Sequence, residues 1–181
     1  MATKKIKAVY NVAIAGLFYA IGFGMLVFVN GFFGFALSTV VWTTGEITSR
    51  TEFEGRSPHH YIQAGNGWQP DPYRDDISLV LKTNQGLVVI CGCCHAGILN
   101  TLFHVERKFG GPILAVLGGL HLLYAEDQYL EHVVQVFDER FPDVSFYLNH
   151  CTGENAFNKL AAAFGSQIRA CPAGTLVNIN D

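Results

Sequence analysis

The sequence is short of charge. Only 15% of its 181 residues are Asp, Glu, Lys or Arg, and half are hydrophobic; an ordinary soluble domain carries about 25% charged residues. A basic cluster is lacking as well. Twelve Lys and Arg against 15 Asp and Glu leave a net charge of −3, so the positive face that nucleic-acid binding requires is missing and no nucleic-acid partner is expected. There is no spread, paired set of cysteines either. The five cysteines are odd in number and three of them, Cys91, Cys93 and Cys94, are crowded together. That is unlike a secreted disulfide framework and fits a reducing compartment. Neither a thioredoxin-like redox centre nor a structural zinc site is expected of these three. Cys91 reads as a small buried hydrophobe, and strand alternation puts Cys91 and Cys93 on one face with Cys94 pointing elsewhere.

Long apolar runs, in contrast, are present. After an opening with Lys4, Lys5 and Lys7, residues 12–29 contain no charge, and the apolar character resumes after Asn30 as far as Trp42. A bilayer-spanning helix needs about 20 such residues, so residues 1–38 read as an apolar N-terminal helical segment suited to a membrane, followed by one domain over 39–181. The alternatives are a buried hairpin rich in Phe and Gly, or a signal peptide, whose apolar core would be shorter, roughly 7–15 residues. The leading lysines would stay cytoplasmic and place the domain across the membrane, whereas the thiols favour the inside. The expectation is membrane association, with a cytoplasmic location as the alternative.

The remainder alternates strand and helix. STVVWTTGEI reads as a strand, and the polar stretch to Arg74 as loop with one short strand at residues 60–63. ISLVLKT and LVVICG read as a hairpin around Asn84-Gln85-Gly86. Helical spacing of Ile98, Leu99, Leu102, Phe103 and Val105 gives a helix over 96–109. A buried strand follows over 112–119, then an amphipathic helix at DQYLEHVVQVFDERF, a strand at VSFYLNH, a helix at NAFNKLAAAFG and a last strand at GTLVNI. Such alternation implies an α/β fold with helices packed on a sheet.

Three successive strands each deliver a histidine at the C-terminal end: His95, His121 and His150. In open α/β sheets that edge is where ligands bind, and neutral imidazole is the commonest metal ligand. His104 and His132 fall within helices and read as surface residues, and His59 and His60 lie in a polar loop. Asp75 and Asp76 read as a turn pair ahead of the hairpin, and Arg74 and Lys82 as scattered cations.

The segments WTTGEI, TEFEG, DPYRDDISLVLKTNQGLVVICGCCHAGILNTL, AVLGGLHLL, HCTG and CPAGT occur in this order between residues 41 and 179. This run resembles the C-terminal half of a metallo-β-lactamase-fold branch, that of dihydropterin-ribofuranosylaminobenzene phosphate synthase and related metallohydrolases. The resemblance implies an α/β fold forming the C-terminal half of an αββα sandwich, a mixed sheet with about three helices. It implies metal at His95 and His150, with Cys93, at the place of the bridging aspartate, as a soft ligand. His121, in the GG-x-H-L element, would ligate metal or contact substrate and is the catalytic candidate. One or two ions of zinc, manganese or iron would generate hydroxide for attack on a small phosphorylated or pterin-like substrate.

The sequence departs from the family at one point. The main metal motif of the superfamily, H-x-H-x-D-H, is absent, and no histidine precedes His59. The expectation is therefore an enzyme that is incomplete without a partner chain carrying that half. Two others stand beside it: a non-catalytic, membrane-tethered or partner-binding remnant, and a truncated product that does not fold alone.

Overall fold

The computed structural model describes residues 40–55 and 59–178; the apolar segment for which a membrane helix is expected lies outside them. Among the described residues no helix is long and apolar enough to cross a membrane.

A six-stranded mixed sheet organises the domain. Its strands are β1 (Val41–Thr43), β4 (Leu79–Lys82), β5 (Leu87–Ile90), β6 (Ile113–Gly118), β7 (Ser145–Leu148) and β8 (Ile168–Ala170), in that spatial order. β2 (Tyr61–Ala64) and β3 (Gly67–Pro70) form a separate hairpin. β1 and β4 pair antiparallel, as do β4 and β5, and the ladders from β5 to β8 are parallel. Three helices connect the parallel strands: α1 (Ile98–Phe109), α2 (Asp127–Arg140) and α3 (Glu154–Phe164).

The residues explain the layering. β5 and β6 are nearly continuous apolar runs, as strands covered on both faces must be. Alternation along them splits the core in two. Leu87, Val89, Ile113, Val116, Phe146 and Leu148 face the helices, while Val88, Ala115 and Tyr147 face the other side with Leu81, Ile90, Leu117 and Val177 packed around them. Parallel crossovers are right-handed, and here each new strand joins the same edge, so every helix falls on one face. The stripes confirm it: Ile98, Leu99, Leu102 and Val105 of α1, Leu130, Val133 and Phe137 of α2, and Ala156 and Leu160 of α3 share one cluster. Phe137 stacks on Phe146 with centroids 4.4 Å apart. Each large apolar side chain taken fully out of water contributes roughly 1.5–3 kcal/mol.

Three sequence expectations change. The last strand is Ile168–Ala170, not GTLVNI. A positive φ at Gly165 ends α3, and Phe146↔Ile168 and Leu148↔Ala170 set the register, so the ladder is completed before Gly174 is reached. The polar loop holds two strands, because Gly65 takes the positive φ that a two-residue turn needs. The first strand shrinks to three residues, since beyond Thr43 the chain leaves β4, with Thr44 bonding Ser78 on the way.

Candidate active-site edge

Topology decides which loops meet. β5, β6 and β7 run parallel, so the turns at 91–97, 119–125 and 149–153 leave one edge of the sheet. β4 is antiparallel to β5, so the chain entering β4 lies at that same edge. β1, antiparallel to β4, also ends there. Both ends of the stretch 44–78, where β1 ends and β4 begins, therefore lie at the edge of the three histidine-bearing turns. The hairpin at Asn84-Gln85-Gly86 already implies this, although the residues before β4 read in the sequence as turn and loop only.

His95 and His121 come together, with ring centroids 4.6 Å apart in an edge-to-face arrangement. Tyr73, buried, packs on His95 at 5.0 Å, and its hydroxyl lies 2.6 Å from Nδ1 of His60. Asp76 Oδ2 accepts the backbone N–H of Ala96 at 2.7 Å, fixing the turn that presents His95. Burial lowers the pKa of His121; His95 and His60 push the same way, while Asp76 opposes them. The imidazole is thus biased toward its neutral form, the form that binds metal. His60, Tyr73 and Asp76 are the residues that sequence reasoning missed.

His150 is exposed and lines a depression with Leu148, Asn149, Thr152, Gly153, Glu154 and Phe157, to which neither His95 nor His121 contributes. Among the described residues no three His, Cys, Asp or Glu side chains converge closely enough to hold a metal ion. The donors present fit part of a metal site: two imidazoles with an aspartate beside them.

Backbone strain marks the same edge. The four non-glycine residues with left-handed φ among those described are Tyr73 (48°), Cys94 (55°), His121 (55°) and His150 (46°). Each such conformation costs roughly 1–2 kcal/mol, and strain of this kind collects at functional sites. No composition signal announces it.

Four of the five cysteines form two pairs. Cys91 and Cys94 are buried in the helix-side core, and the Cys94 thiol is pushed well up by its hydrogen bond with Cys91 and then by burial. Their spacing is C-x-x-C, which the closer Cys91-Gly-Cys93 spacing masks. Cys93 lies instead beside Cys151, whose thiol donates to the Cys93 carbonyl at 3.4 Å. Alternation failed here because the strand ends at Ile90 and Cys94 turns the chain. Burial pushes Cys151 up to about 11.

The TEFEG segment packs under the His95 turn. Gly97 caps α1 without a side chain, and Glu54 supplies what it lacks by accepting the backbone N–H of Asn100. Glu54 also accepts the Tyr129 hydroxyl, and burial raises its pKa to about 7. His132 pairs with Glu52 at 2.7 Å. His104, half-buried, sits 3.2 Å from the Thr44 carbonyl. Both histidines read as surface residues in the sequence, and both hold the 44–54 loop onto the helices.

No protein-family model matches the chain. It is 26% identical over 141 residues to the 7,8-dihydropterin-6-methyl-4-(β-D-ribofuranosyl)-aminobenzene-5′-phosphate synthase of Methanocaldococcus jannaschii, covering 76% of this chain and 48% of that protein. An uncharacterized protein of the same organism is 35% identical over 91 residues, 50% of this chain and 32% of the relative. The crystal structure of a metal-dependent hydrolase of the β-lactamase superfamily superposes with a TM-score of 0.72 at 29% identity, covering 80% of this chain and 56% of that one. The chain thus spans about half or less of the curated relatives it matches. The described domain has a metallo-β-lactamase-like fold, and its sequence is similar to part of the dihydropterin-ribofuranosylaminobenzene phosphate synthase of Methanocaldococcus jannaschii.

Proposed function

We propose that this chain contributes half of a metal-dependent hydrolase or transferase site acting on a small phosphorylated or pterin-like substrate. The other half, carrying H-x-H-x-D-H, would come from a partner chain. The carrying observation is the His95–His121 pair, 4.6 Å between ring centroids, at the edge where parallel strands place ligand sites.

In this reading His95 and His121 hold metal, a zinc, manganese or iron ion. When bound, the metal supplies Lewis acidity and a hydroxide at neutral pH. Asp76 keeps the His95 turn in place through Ala96, and Tyr73, anchored by His60, packs against the His95 ring. His150 and Cys93 remain proposed ligands that would have to join from the neighbouring turns. Likeness to a solved metal-dependent hydrolase supports metal dependence, and likeness to the archaeal synthase supports a phosphorylated pterin-like substrate.

The test is elemental analysis of the purified full chain, dialysed against zinc, manganese or iron, beside His95→Ala and His121→Ala. Bound metal that is lost in folded variants supports the proposal. A folded wild-type chain that binds none, or variants that keep it, overturns it. A partner-binding module without catalysis is the second reading, favoured by the incomplete donor set among the described residues.

A further inference from the structure

Cys93 and Cys151 belong to turns that follow β5 and β7, two strands that are not neighbours. β6 lies between them, and adjacent strands stand about 4.8 Å apart, so side chains at these places would ordinarily be screened by whatever β6 carries. Here β6 ends at Gly118, and Gly119 follows it. A Cβ on Gly119 would stand 2.5 Å from the Cys151 sulfur and 3.2 Å from the Gly92 carbonyl oxygen. The missing side chain is what lets the two turns meet over the end of β6.

They meet closely. The Cys151 thiol donates to the Cys93 carbonyl at 3.4 Å, and both residues are partly open to solvent. The ladder holds the turns in place: Gly119 N–H donates to the Gly92 carbonyl at 3.0 Å, and Leu123 N–H to that of Cys151 at 3.1 Å. All five cysteines are reduced in this structure.

We propose that Cys93 and Cys151 are an oxidisable dithiol, a modification site that closes to a disulfide with a low-molecular-weight disulfide as oxidant. One thiolate attacks a sulfur of oxidised glutathione, forming a protein–glutathione bond and releasing one glutathione thiolate. The second protein thiol loses its proton to solvent and attacks the protein sulfur of that mixed disulfide. The protein–glutathione bond breaks and a second glutathione leaves. Two protein thiols are oxidised and one oxidised glutathione is reduced to two thiols. The product staples the turn carrying His95 to the turn carrying His150. It closes a loop between residues 58 apart in sequence, which restricts the unfolded chain and raises the thermal midpoint. The inference does not require metal at His95 and His121, but a disulfide at Cys93 would remove that thiol from the proposed ligands.

The experiment uses the full chain, incubated with oxidised glutathione, alkylated and cleaved by trypsin. Cys91, Cys93 and Cys94 then share peptide 83–107, Cys151 lies in 141–159, and Cys171 lies in the C-terminal peptide. The expected product is a reducible cross-link between 83–107 and 141–159 that is lost in Cys93→Ser and kept in Cys91→Ser and Cys94→Ser, together with a raised melting temperature. Any of four results overturns it: a cross-link that survives Cys93→Ser, a Cys91–Cys94 bond within 83–107 in its place, a Cys151 linked to Cys171, or glutathione adducts that never resolve.

Discussion

The Tyr129 hydroxyl donates to the Glu54 carboxyl across 75 positions of sequence, tying α2 to the loop that caps α1. Desolvation there outweighs this bond and the one from Asn100, and the neighbouring Glu52 adds to it, so the Glu54 pKa rises from 4.5 to about 7. A carboxyl whose folded pKa is raised favours folding most when both states are protonated. That contribution is full below the unfolded pKa and is lost as pH climbs through the folded one. A shift of this size corresponds to on the order of 3 kcal/mol. Urea midpoints should fall between about pH 5 and about pH 8 in the wild type, and the fall should be shallower in Glu54→Gln. Equal slopes in the two proteins would refute the assignment.

The His60–Tyr73 contact is a single hydrogen bond at 2.6 Å on a ring that also packs against His95. Removing the hydroxyl alone keeps the ring. A double-mutant cycle of Tyr73→Phe and His60→Ala should give a coupling of about 1 kcal/mol, the usual net worth of such a bond. Additive effects would show that the bond contributes nothing to stability.

Gly97 and Gly110 both have positive φ, yet their surroundings differ. A Cβ on Gly97 would lie 2.1 Å from Cγ and Cδ of Glu54, whereas a Cβ on Gly110 meets nothing within 4 Å. Gly110→Ala should cost only its backbone strain, about 1 kcal/mol. Gly97→Ala must also expel Glu54 from its place on α1 and should cost at least about twice as much. Chemical denaturation of the two variants checks the ratio.

Phe137 is fully buried and stacked on Phe146 at 4.4 Å, at the centre of the helix–sheet core. Phe137→Ala should destabilise the domain by about 3–5 kcal/mol, read as a lower urea midpoint with an unchanged slope.

Most of the fold was legible because its signals are local. Hydrophobic periodicity finds α1 and α2, continuous apolar runs find β5 and β6, and the turn at Asn84-Gln85-Gly86 joins β4 to β5. β8 was misplaced because Ile168-Arg169-Ala170 is too short and too polar to announce itself; its identity comes from pairing with β7. At the site, His95 and His121 were visible as strand-end residues. The meeting of Cys93 with Cys151 was not, since it depends on what β6 leaves out, and no pattern within either turn encodes it. Glu54 escaped for a similar reason: it caps a helix that begins more than forty residues later.

From β4 to β8 the spatial order of the main sheet repeats the order of the chain. Each strand's next neighbour is therefore the next one to be synthesised, and every pairing closes a short loop. Short closures carry little entropic cost and favour fast folding. The sheet can lengthen by one helix and one strand at a time behind the hairpin of β4 and β5. β8 closes the row with β7 as its one neighbour, so the turn bearing His150 and Cys151 follows the last strand but one to be synthesised, after the turns of His95 and His121.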